Sequence, residues 1–451
     1  MRRIHLSSLV ALLICGVLSP SPSTAANPRT PEWASSTTIY EVNIRQYSES
    51  GTFKAVTASL PRLRNLGVGI LWLMPVQPIS QLKRKGALGS PYSVADYKGI
   101  NPEFGNPDDF KALVGTAHTL GMKVIMDWVA NHSGWDNPWI SNKSWYHQDD
   151  NGNIIAPNND WTDVAWLNYE NADLRAAMID AMKYWVTQFD IDGFRADYAS
   201  GVPIDFWEES TSQLQAIKPL LMLAEEQGTR GMLDKAFQSN YNWTLLGDLN
   251  GIAQGRTGVA SFVTAYNYRL SKYPRGTFPM NFITNHDENS WNGSEYKRMG
   301  ANVEAMAALS FIFPGMPLIY SGQEVGNIRE LEFFEKDQIP NIEDENTTTT
   351  FYKNLINLKK KNVSLWNTAP LKMTDIFQRN LNVLSFARSV GKNRVIYILN
   401  TSEKNQKVTL KLDNLAGSYL TFPTNSRATL SKSWTLTLKP WQFEIYSTSG
   451  N

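Results

Sequence analysis

Short, continuously apolar segments that alternate with helical segments constrain the fold of this chain most strongly. Residues 69–74 (GILWLM) and 123–128 (KVIMDW) are apolar along most of their length, as expected of strands buried on both faces. Repeated βα units of this kind predict a parallel sheet, and strand candidates close to eight in number favour a closed (β/α)8 barrel. The predicted strands are 37–44, 69–74, 123–128, 191–196, 219–224, 278–283 and 317–321, and the predicted helices are 53–66, 108–120, 172–189 and 204–217.

Two stretches break this alternation. Residues 131–168 are rich in Asn, Asp, Trp and Ser, which predicts a small functional subdomain after the third strand. From about residue 368 the segments alternate between apolar and polar residues, which predicts an antiparallel β-sandwich. The predicted organisation is a signal peptide (1–26), a barrel (27–131 and 171–367), an inserted subdomain (132–170) and a C-terminal β-sandwich domain (368–451).

The N-terminus has the pattern of a secretory signal. Arg2 and Arg3 precede an apolar run at 9–18, and small residues follow up to Ala26, where cleavage is expected. This run is about half of the roughly 20 residues that a spanning helix needs. We therefore expect a secreted or periplasmic protein without a transmembrane segment.

Composition excludes several classes of site and partner. Lys and Arg total 43 against 42 Asp and Glu, so bulk charge offers no reason to bind nucleic acid. A single cysteine excludes a disulfide framework and a Cys-ligated zinc site, and no paired His spacing predicts a His-ligated one. We expect a monomer that binds a small or polymeric substrate.

Acidic residues stand at the ends of several predicted strands. Asp127 lies at the end of strand candidate 123–128, and Asp197, Glu225 and Asp287 follow the candidates 191–196, 219–224 and 278–283. Active sites of (β/α)8 barrels lie at these strand ends, and several carboxylates at one mouth are costly unless they are paired or used. Glycoside hydrolysis uses such a set, with one carboxylate as nucleophile and one carboxylic acid as proton donor.

The neighbours of these acids allow two interpretations. Arg195 shares a strand face with Asp197, and we expect it to keep Asp197 ionised, although a structural ion pair fits equally well. Glu226 is expected to raise the pKa of Glu225 by its charge. His132 and His286 each follow an Asn after a strand, where neutral imidazoles would bind sugar hydroxyls or simply pack. Spacing alone leaves these alternatives open.

Seven strings then occur in a fixed order between residues 37 and 325. They are GVGILWLMPV (67–76), MDWVANH (126–132), VAWLNYEN (164–171), GFRAD (193–197), LMLAEE (221–226), FITNHD (282–287) and GMPLIYSGQE (315–324). Together they resemble the conserved motifs of the α-amylase family of glycoside hydrolases, family 13. Seven motifs in order are far more specific than any one of them. The resemblance implies a (β/α)8 TIM barrel with a small subdomain inserted after strand 3 and a C-terminal antiparallel β-sandwich.

The resemblance also implies roles for individual residues. Asp197 would be the nucleophile, Glu225 the general acid and base, and Asp287 the residue that stabilises the distorted sugar. The residues implied to bind or support that sugar are Tyr92, His132, Arg195 and His286, with Asp127 beside Arg195.

This chain departs from the family pattern at three positions. Ser200 and Gly201 replace a Lys-His pair that is common after the nucleophile, and Trp166 replaces an Asp of the inserted subdomain. The resemblance implies calcium near Asn131, but these replacements argue against it, and the chemistry requires no cofactor. Trp166 is a candidate for stacking on sugar, with core packing as the alternative.

The resulting hypothesis is a secreted retaining hydrolase of α-1,4-glucosidic bonds in starch, glycogen or maltooligosaccharides. One alternative keeps the site but makes the protein an α-glucosidase or transglycosylase on short maltooligosaccharides. A remote alternative is a non-catalytic glucan-binding relative, against which the presence of all three acids argues.

Overall fold

A closed barrel of eight parallel strands forms the centre of the structure, a computed structural model that describes residues 30–451. The predicted signal peptide, residues 1–26, lies outside the described residues. The strands of this part, numbered along the chain, are β1 (Ile39–Val42), β2 (Ile70–Leu73), β3 (Lys123–Trp128), β4 (His132–Gly134), β5 (Val164–Trp166), β6 (Gly193–Ala196), β7 (Leu221–Ala224), β8 (Ser239–Tyr241), β9 (Phe278–Asn281) and β10 (Met316–Tyr320). The barrel order is β1-β2-β3-β6-β7-β8-β9-β10, and pairing of β10 with β1 closes the ring.

Seven barrel strands lie within the segments predicted for them or within one residue of those segments, which confirms the predicted fold class. The eighth, β8, has no counterpart among the predicted strands. It is three residues long and carries Ser239 and Asn240, so it shows no apolar run. Both polar residues are nevertheless buried, and Asn240 donates a hydrogen bond from Nδ2 to Glu226 Oε1 at 3.0 Å. A strand that satisfies polar side chains internally leaves no hydrophobic signal in the sequence.

Helices surround the barrel, and polar caps fix where several of them begin. Asn106 and Asp109 form a capping box at the start of α3, and the side chain of Asn171 accepts two backbone N–H groups at the start of α4. The helices are α1 (Ile44–Tyr47), α2 (Phe53–Leu66), α3 (Pro107–Thr119), α4 (Ala172–Phe189), α5 (Ile204–Gln215), α6 (Met232–Lys235), α7 (Trp243–Ala253), α8 (Phe262–Leu270), α9 (Glu295–Met299), α10 (Val303–Ile312) and α11 (Thr347–Lys361).

The segment inserted after β3 is built around a small antiparallel hairpin of β4 and β5. His132 pairs with Trp166 and Gly134 with Val164. Because β4 begins four residues after β3 ends, this hairpin stands directly over the C-terminal mouth of the barrel.

The C-terminal residues form two antiparallel sheets that share one apolar cluster. One sheet has the order β11-β12-β13-β18-β15-β16, and the other pairs β14 with β17. Side chains from both sheets, among them Ile396 and Leu410, pack in a common cluster, as predicted for a β-sandwich. The strands are β11 (Thr374–Asp375), β12 (Val383–Val390), β13 (Asn393–Asn400), β14 (Gln406–Lys411), β15 (Gly417–Thr421), β16 (Arg427–Leu430), β17 (Ser433–Leu438) and β18 (Phe443–Ser447).

The C-terminal sheet packs closely on helix α10 of the barrel. Every residue of α10 except Glu304 is buried. From β13, Tyr397 Oη donates a hydrogen bond to the carbonyl oxygen of Ala305 at 2.9 Å, and from β12, Arg388 Nη1 donates one to Ile312 O at 3.2 Å. Helix α10 is therefore covered by the barrel on one side and by the sheet on the other.

The helices between residues 30 and 451 were also compared with what a bilayer requires. None of them combines the length and apolar character needed to cross a membrane.

Candidate active site

A cavity of about 800 Å³ opens at the C-terminal ends of the barrel strands. It brings together residues that are far apart in the sequence. Some of them follow four different barrel strands, and His132 belongs to the inserted segment. The predicted site residues that line it are Tyr92, His132, Asp197, Glu225, His286 and Asp287. A concave, largely preformed pocket with converging polar groups is the usual form of a small-molecule or sugar site.

The three predicted catalytic acids reach this cavity from separate strand ends. Asp197 directly follows β6 and Glu225 directly follows β7, and each backbone N–H donates to a neighbouring strand, Asp197 to Trp128 O and Glu225 to Ala196 O, both at 3.0 Å. The side chains of Asp197, Glu225 and Asp287 are 13%, 17% and 34% exposed. They are therefore held by the barrel yet accessible from the cavity.

Arg195 lies beneath the cavity and joins three carboxylates. Its Nη1 donates hydrogen bonds to Asp127 Oδ1 at 2.8 Å and to Asp197 Oδ1 at 3.0 Å, and its Nη2 lies 2.8 Å from Glu225 Oε1. Its Nε donates to Tyr241 Oη at 3.1 Å. The resemblance implies that Arg195 binds or supports the sugar with Asp127 beside it, and both side chains are completely buried in this structure. They position the groups that line the cavity.

Asp127 extends this buried network towards the cavity wall. Its Oδ2 accepts hydrogen bonds from Trp72 Nε1 at 3.1 Å and from Tyr92 Oη at 3.0 Å. Tyr92 in turn contacts His286 Nε2 through the same hydroxyl at 2.8 Å, and the two rings lie nearly parallel. The Tyr92 ring is thus fixed at the surface of the cavity, and the family resemblance implies that Tyr92 binds the sugar there.

His286 is held between two carboxylates. Its Nδ1 lies 2.5 Å from Glu41 Oε1, and its Nε2 lies 3.2 Å from Asp287 Oδ2. Burial acts to lower the pKa of His286, but the charges of Asp287 and Glu41 and the hydrogen bonds to them raise it well above its ordinary value. These two carboxylates thus favour the imidazolium form of His286, whereas the sequence analysis considered a neutral imidazole.

His132 has the opposite electrostatic setting. Burial lowers the pKa of His132 to about 4, because no carboxylate compensates for the loss of solvent. The imidazole is thus neutral around pH 7, as expected from the sequence. Its ring lies 5.7 Å from that of Trp161, which also lines the cavity.

The carboxyl groups of Asp197 and Glu225 are buried near each other, and both have raised pKa values. Burial raises the pKa of Asp197, the charge of Glu225 adds to this, and Arg195 acts in the opposite direction. Burial also raises the pKa of Glu225, with Arg195 opposing and Asp287 adding. The predicted Arg195–Asp197 ion pair is present, but burial and Glu225 have the larger effect on that pKa. The pair therefore retains a proton at a pH where isolated carboxyl groups are ionised.

Glu226 does not face its sequence neighbour. Its two carboxylate oxygens accept hydrogen bonds from Asn240 Nδ2 at 3.0 Å and from the backbone N–H of Thr229 at 2.8 Å. The like charge that raises the pKa of Glu225 comes from Asp287, which is 62 positions away, and not from Glu226 as expected.

Two further predictions concern the inserted segment. Trp166 was a candidate for stacking on sugar, but it does not line the cavity, because its ring stacks on that of His147 with centroids 3.8 Å apart. Asn131 was the candidate metal ligand. Its Nδ2 lies 3.2 Å from His132 Nδ1, and residues 30–451 contain no group of three or more His, Cys, Asp or Glu side chains arranged for a metal.

Several residues of the cavity escaped the sequence analysis. Glu41 contacts His286 from β1, and the cavity is also lined by an aromatic set and a lysine from loops without any motif. These lining residues are Lys85, Trp161, Trp291, Phe333 and Phe334. Of these residues, only Glu41 had a signal in the sequence, because it is a carboxylate inside the predicted strand 37–44.

The architecture agrees with comparisons to known proteins. A family model described as the alpha-amylase catalytic domain matches residues 37–366. The chain belongs to the alpha-amylase family of glycoside hydrolases. This family member superposes on the crystal structure of an alpha-amylase from Lactobacillus plantarum with a TM-score of 0.79 and 31% identity, covering 92% of this chain and 99% of that one.

Two other relatives of this alpha-amylase family member carry narrower names. A noncanonic maltogenic alpha-amylase from Thermotoga neapolitana superposes with a TM-score of 0.83 and 28% identity, over 92% of this chain and 99% of that chain. A maltogenic alpha-amylase from Bacillus acidopullulyticus is 24% identical over 427 residues, which are 88% of this chain and 70% of that protein. The chain is therefore an alpha-amylase-family glycoside hydrolase that resembles maltogenic types as well as alpha-amylases.

Proposed function

We propose that this glycoside hydrolase cleaves α-1,4-glucosidic bonds of starch, glycogen or maltooligosaccharides with retention of configuration. The observation that carries the proposal is the contact of one buried guanidinium, that of Arg195, with both Asp197 and Glu225. It holds a nucleophile and a proton donor side by side at the floor of the cavity. In retaining enzymes the two carboxyl groups must be close enough for direct attack on the sugar.

The proposed mechanism assigns the retained proton to Glu225 and an ionised form to Asp197. Arg195 donates a hydrogen bond directly to Asp197, which favours that ionised form. Glu225 Oε2 accepts a hydrogen bond from the backbone N–H of Tyr198 at 2.7 Å, which fixes the orientation of this carboxyl group. These are the states that a nucleophile and a general acid need.

The reaction proceeds in two displacements. An oxygen of Asp197 bonds to the anomeric carbon while the bond to the leaving sugar breaks, and Glu225 gives its proton to the leaving oxygen. Glu225 then takes a proton from water, the water oxygen bonds to the anomeric carbon, and the bond to Asp197 breaks. Asp287 stabilises the positive charge that develops on the ring in both steps, and Tyr92 and His286 shape the site of that ring.

Covalent trapping tests this mechanism. A 5-fluoro-α-glucosyl fluoride should inactivate the protein and add one glycosyl unit to the peptide that contains Asp197, as detected by mass spectrometry. Asp197→Asn, Glu225→Gln and Asp287→Asn should each lower kcat on maltoheptaose by at least about 10³-fold while circular dichroism stays unchanged. Near-full activity of Asp197→Asn, or attachment to another residue, would disprove the assigned mechanism.

The alternative of an α-glucosidase or transglycosylase on short maltooligosaccharides is supported by the maltogenic names of some relatives. A time course of products from soluble starch and from maltoheptaose separates the two. Mixed maltooligosaccharides at early times support an amylase. Glucose alone, or products longer than the substrate, support the alternative, and binding without any cleavage would support a non-catalytic protein.

We also propose that the mature protein is exported and monomeric. The basis is the basic, apolar and small-residue order of residues 1–26. Expression of the full chain in a host with a secretion pathway should yield an N-terminus near residue 27, measured by N-terminal sequencing. Light scattering should give a mass close to that of one processed chain. Retention of Met1 in the cytoplasm would contradict export.

A further inference from the structure

The position of the proton donor, Glu225, determines which end of a bound glucan chain lies on which side of the cleft. Glu225 follows β7, which lies opposite β1 in the barrel ring. A general acid stands beside the leaving group, so the leaving, reducing-end part of the chain lies towards β7. The non-reducing end must then point towards β1 and its two neighbours, β2 and β10.

Loops from β2 and β10 meet at that end. The loop 81–89 follows β2 and the segment 329–337 follows β10. Leu88 donates its backbone N–H to Phe334 O at 3.2 Å, and Ala87 donates its backbone N–H to Glu335 Oε1 at 2.8 Å. At Gly86 an added Cβ would lie 2.4 Å from the Cβ of Phe334, so the two backbones are in direct contact.

The same loop also joins the inserted segment. Lys85 Nζ donates a hydrogen bond to the carbonyl oxygen of Asp160 and lies 3.4 Å from Asp163 Oδ1. The backbone N–H groups of Gln81 and Leu82 both donate to Asp136 Oδ2 at 2.8 and 3.3 Å. The loop is therefore tied to protein on both sides.

The base of the loop is held from below. Arg45 is buried, and its two terminal nitrogens donate hydrogen bonds to Gly89 O at 2.9 Å and Leu88 O at 3.1 Å. The loop, the segment 329–337 and residues 160–163 thus form a continuous barrier, here called the β2 wall. Lys85 and Phe334 of this wall line the same cavity as Asp197.

We infer that the β2 wall closes the cleft on its non-reducing side, so that the enzyme removes a short sugar of fixed length from chain ends. The inference rests on the proposed function and specifies its substrate as glucan chains with a free non-reducing end. A chain bound through its middle would have to continue through the contacts that Lys85 and Leu88 make. On the side of β6 and β7, the lining residue Ser200 is exposed, and we expect the rest of the chain to leave there.

A pair of substrates tests this inference without any variant. One is a maltoheptaoside with p-nitrophenol at the reducing end and a free non-reducing end, and the other carries a 4,6-O-ethylidene cap at that end. The capped substrate should react at least about 10-fold more slowly, a difference of about 1.4 kcal/mol. The free substrate should release one unlabelled sugar length from the start.

Opening the wall should weaken the discrimination between the capped and the free substrate. Lys85→Ala removes the two contacts that Lys85 makes with Asp160 and Asp163 of the inserted segment. This change should raise the capped-to-free rate ratio by about 5-fold or more. Lys98→Ala removes a comparable ion pair, with Asp180, outside the cavity and should leave the ratio unchanged. An unchanged ratio in Lys85→Ala would overturn the role of that contact.

The outcomes separate the two proposals. Equal rates on capped and free substrates, or random early products, would overturn closure of the cleft and leave the proposed function intact. Absence of cleavage of both substrates and of starch would refute the proposed function, and the inference with it.

Discussion

Glu41 Oε1 and His286 Nδ1 lie 2.5 Å apart although 245 positions separate the two residues in the chain. Both side chains are buried, and the other ring nitrogen of His286 faces Asp287. Glu41 therefore acts on Asp287 through the imidazole: it favours the imidazolium, and the imidazolium lowers the pKa of Asp287.

Glu41→Gln should lower the pKa of His286. Gln keeps an acceptor of similar shape but removes one of the charges that raise this pKa, so the imidazolium should be lost at a lower pH. A shift of one unit corresponds to about 1.4 kcal/mol. Histidine NMR titration measures it directly, and kcat/KM on the alkaline side should fall by about 10-fold.

The matched control for this change is Glu295→Gln. Glu295 is also a buried carboxyl group, with its pKa raised to about 7 by burial, but it does not line the cavity. The titration of His286 should be unaffected in this variant. If both variants shift His286 equally, the effect of Glu41 is not specific.

Glu225→Gln should stabilise the fold as the pH rises. Burial raises the pKa of Glu225 in the folded state, so the stability linked to its proton is complete below the unfolded pKa of about 4.3 and is lost as the pH rises through the folded value. Gln cannot ionise and avoids this loss. The free energy of unfolding of the variant should exceed that of the parent by about 1 kcal/mol near pH 8, and less near pH 5.

Urea unfolding at several pH values measures this difference. The exposed Glu49→Gln is the control and should show no comparable pH-dependent gain. A variant that is less stable than the parent at all pH values would contradict the idea that burial dominates at Glu225.

His132→Ala should weaken substrate use by the same factor across a wide pH range. The pKa of His132 is about 4, so the imidazole stays neutral, and loss of one neutral hydrogen bond to the sugar costs about 1 kcal/mol, or roughly 5-fold in kcat/KM. Steady-state kinetics between about pH 5 and pH 8 check this. His147→Ala, outside the cavity, should keep the parent kcat/KM, and a loss confined to high pH in His132→Ala would show a protonated role.

The two tryptophans of the inserted segment should differ in their effects. Trp161→Ala removes an aromatic surface from the cavity and should raise KM for maltooligosaccharides by about 10-fold, since aromatic contact is worth roughly 1 to 2 kcal/mol. Trp166→Phe keeps an aromatic partner for His147 and should leave KM unchanged. A raised KM in Trp166→Phe would restore the sequence-based assignment.

The sequence predicted the three acids because strand ends converge in a barrel. Asp197, Glu225 and Asp287 follow apolar strands, and a parallel closed sheet brings such ends to one mouth. Position along a strand made them candidates together with Asp127, and the family resemblance singled out these three. The strand β8 was missed because Ser239 and Asn240 are polar although they are buried, and a search for apolar runs does not detect such a strand.

Contacts across the barrel lie beyond what the sequence shows. Glu226 is adjacent to Glu225 in the chain, yet its carboxylate points to Asn240, while Asp287 supplies the charge that acts on Glu225. Likewise, Lys85 carries no motif, and its position becomes informative only through its contact with Asp160. Charge effects follow distance in space, and local spacing predicts that distance only within one strand or helix.

The double covering of α10 has a consequence for anyone who wishes to shorten this protein. Its residues are apolar except for Glu304 and Ser310, so removal of the sheet would expose an apolar surface to water. A chain cut after residue 366, where the family match ends, should aggregate even though it retains every acid of the cavity. The C-terminal sheet therefore shields an apolar surface of the catalytic barrel from water, and a shortened protein should retain it.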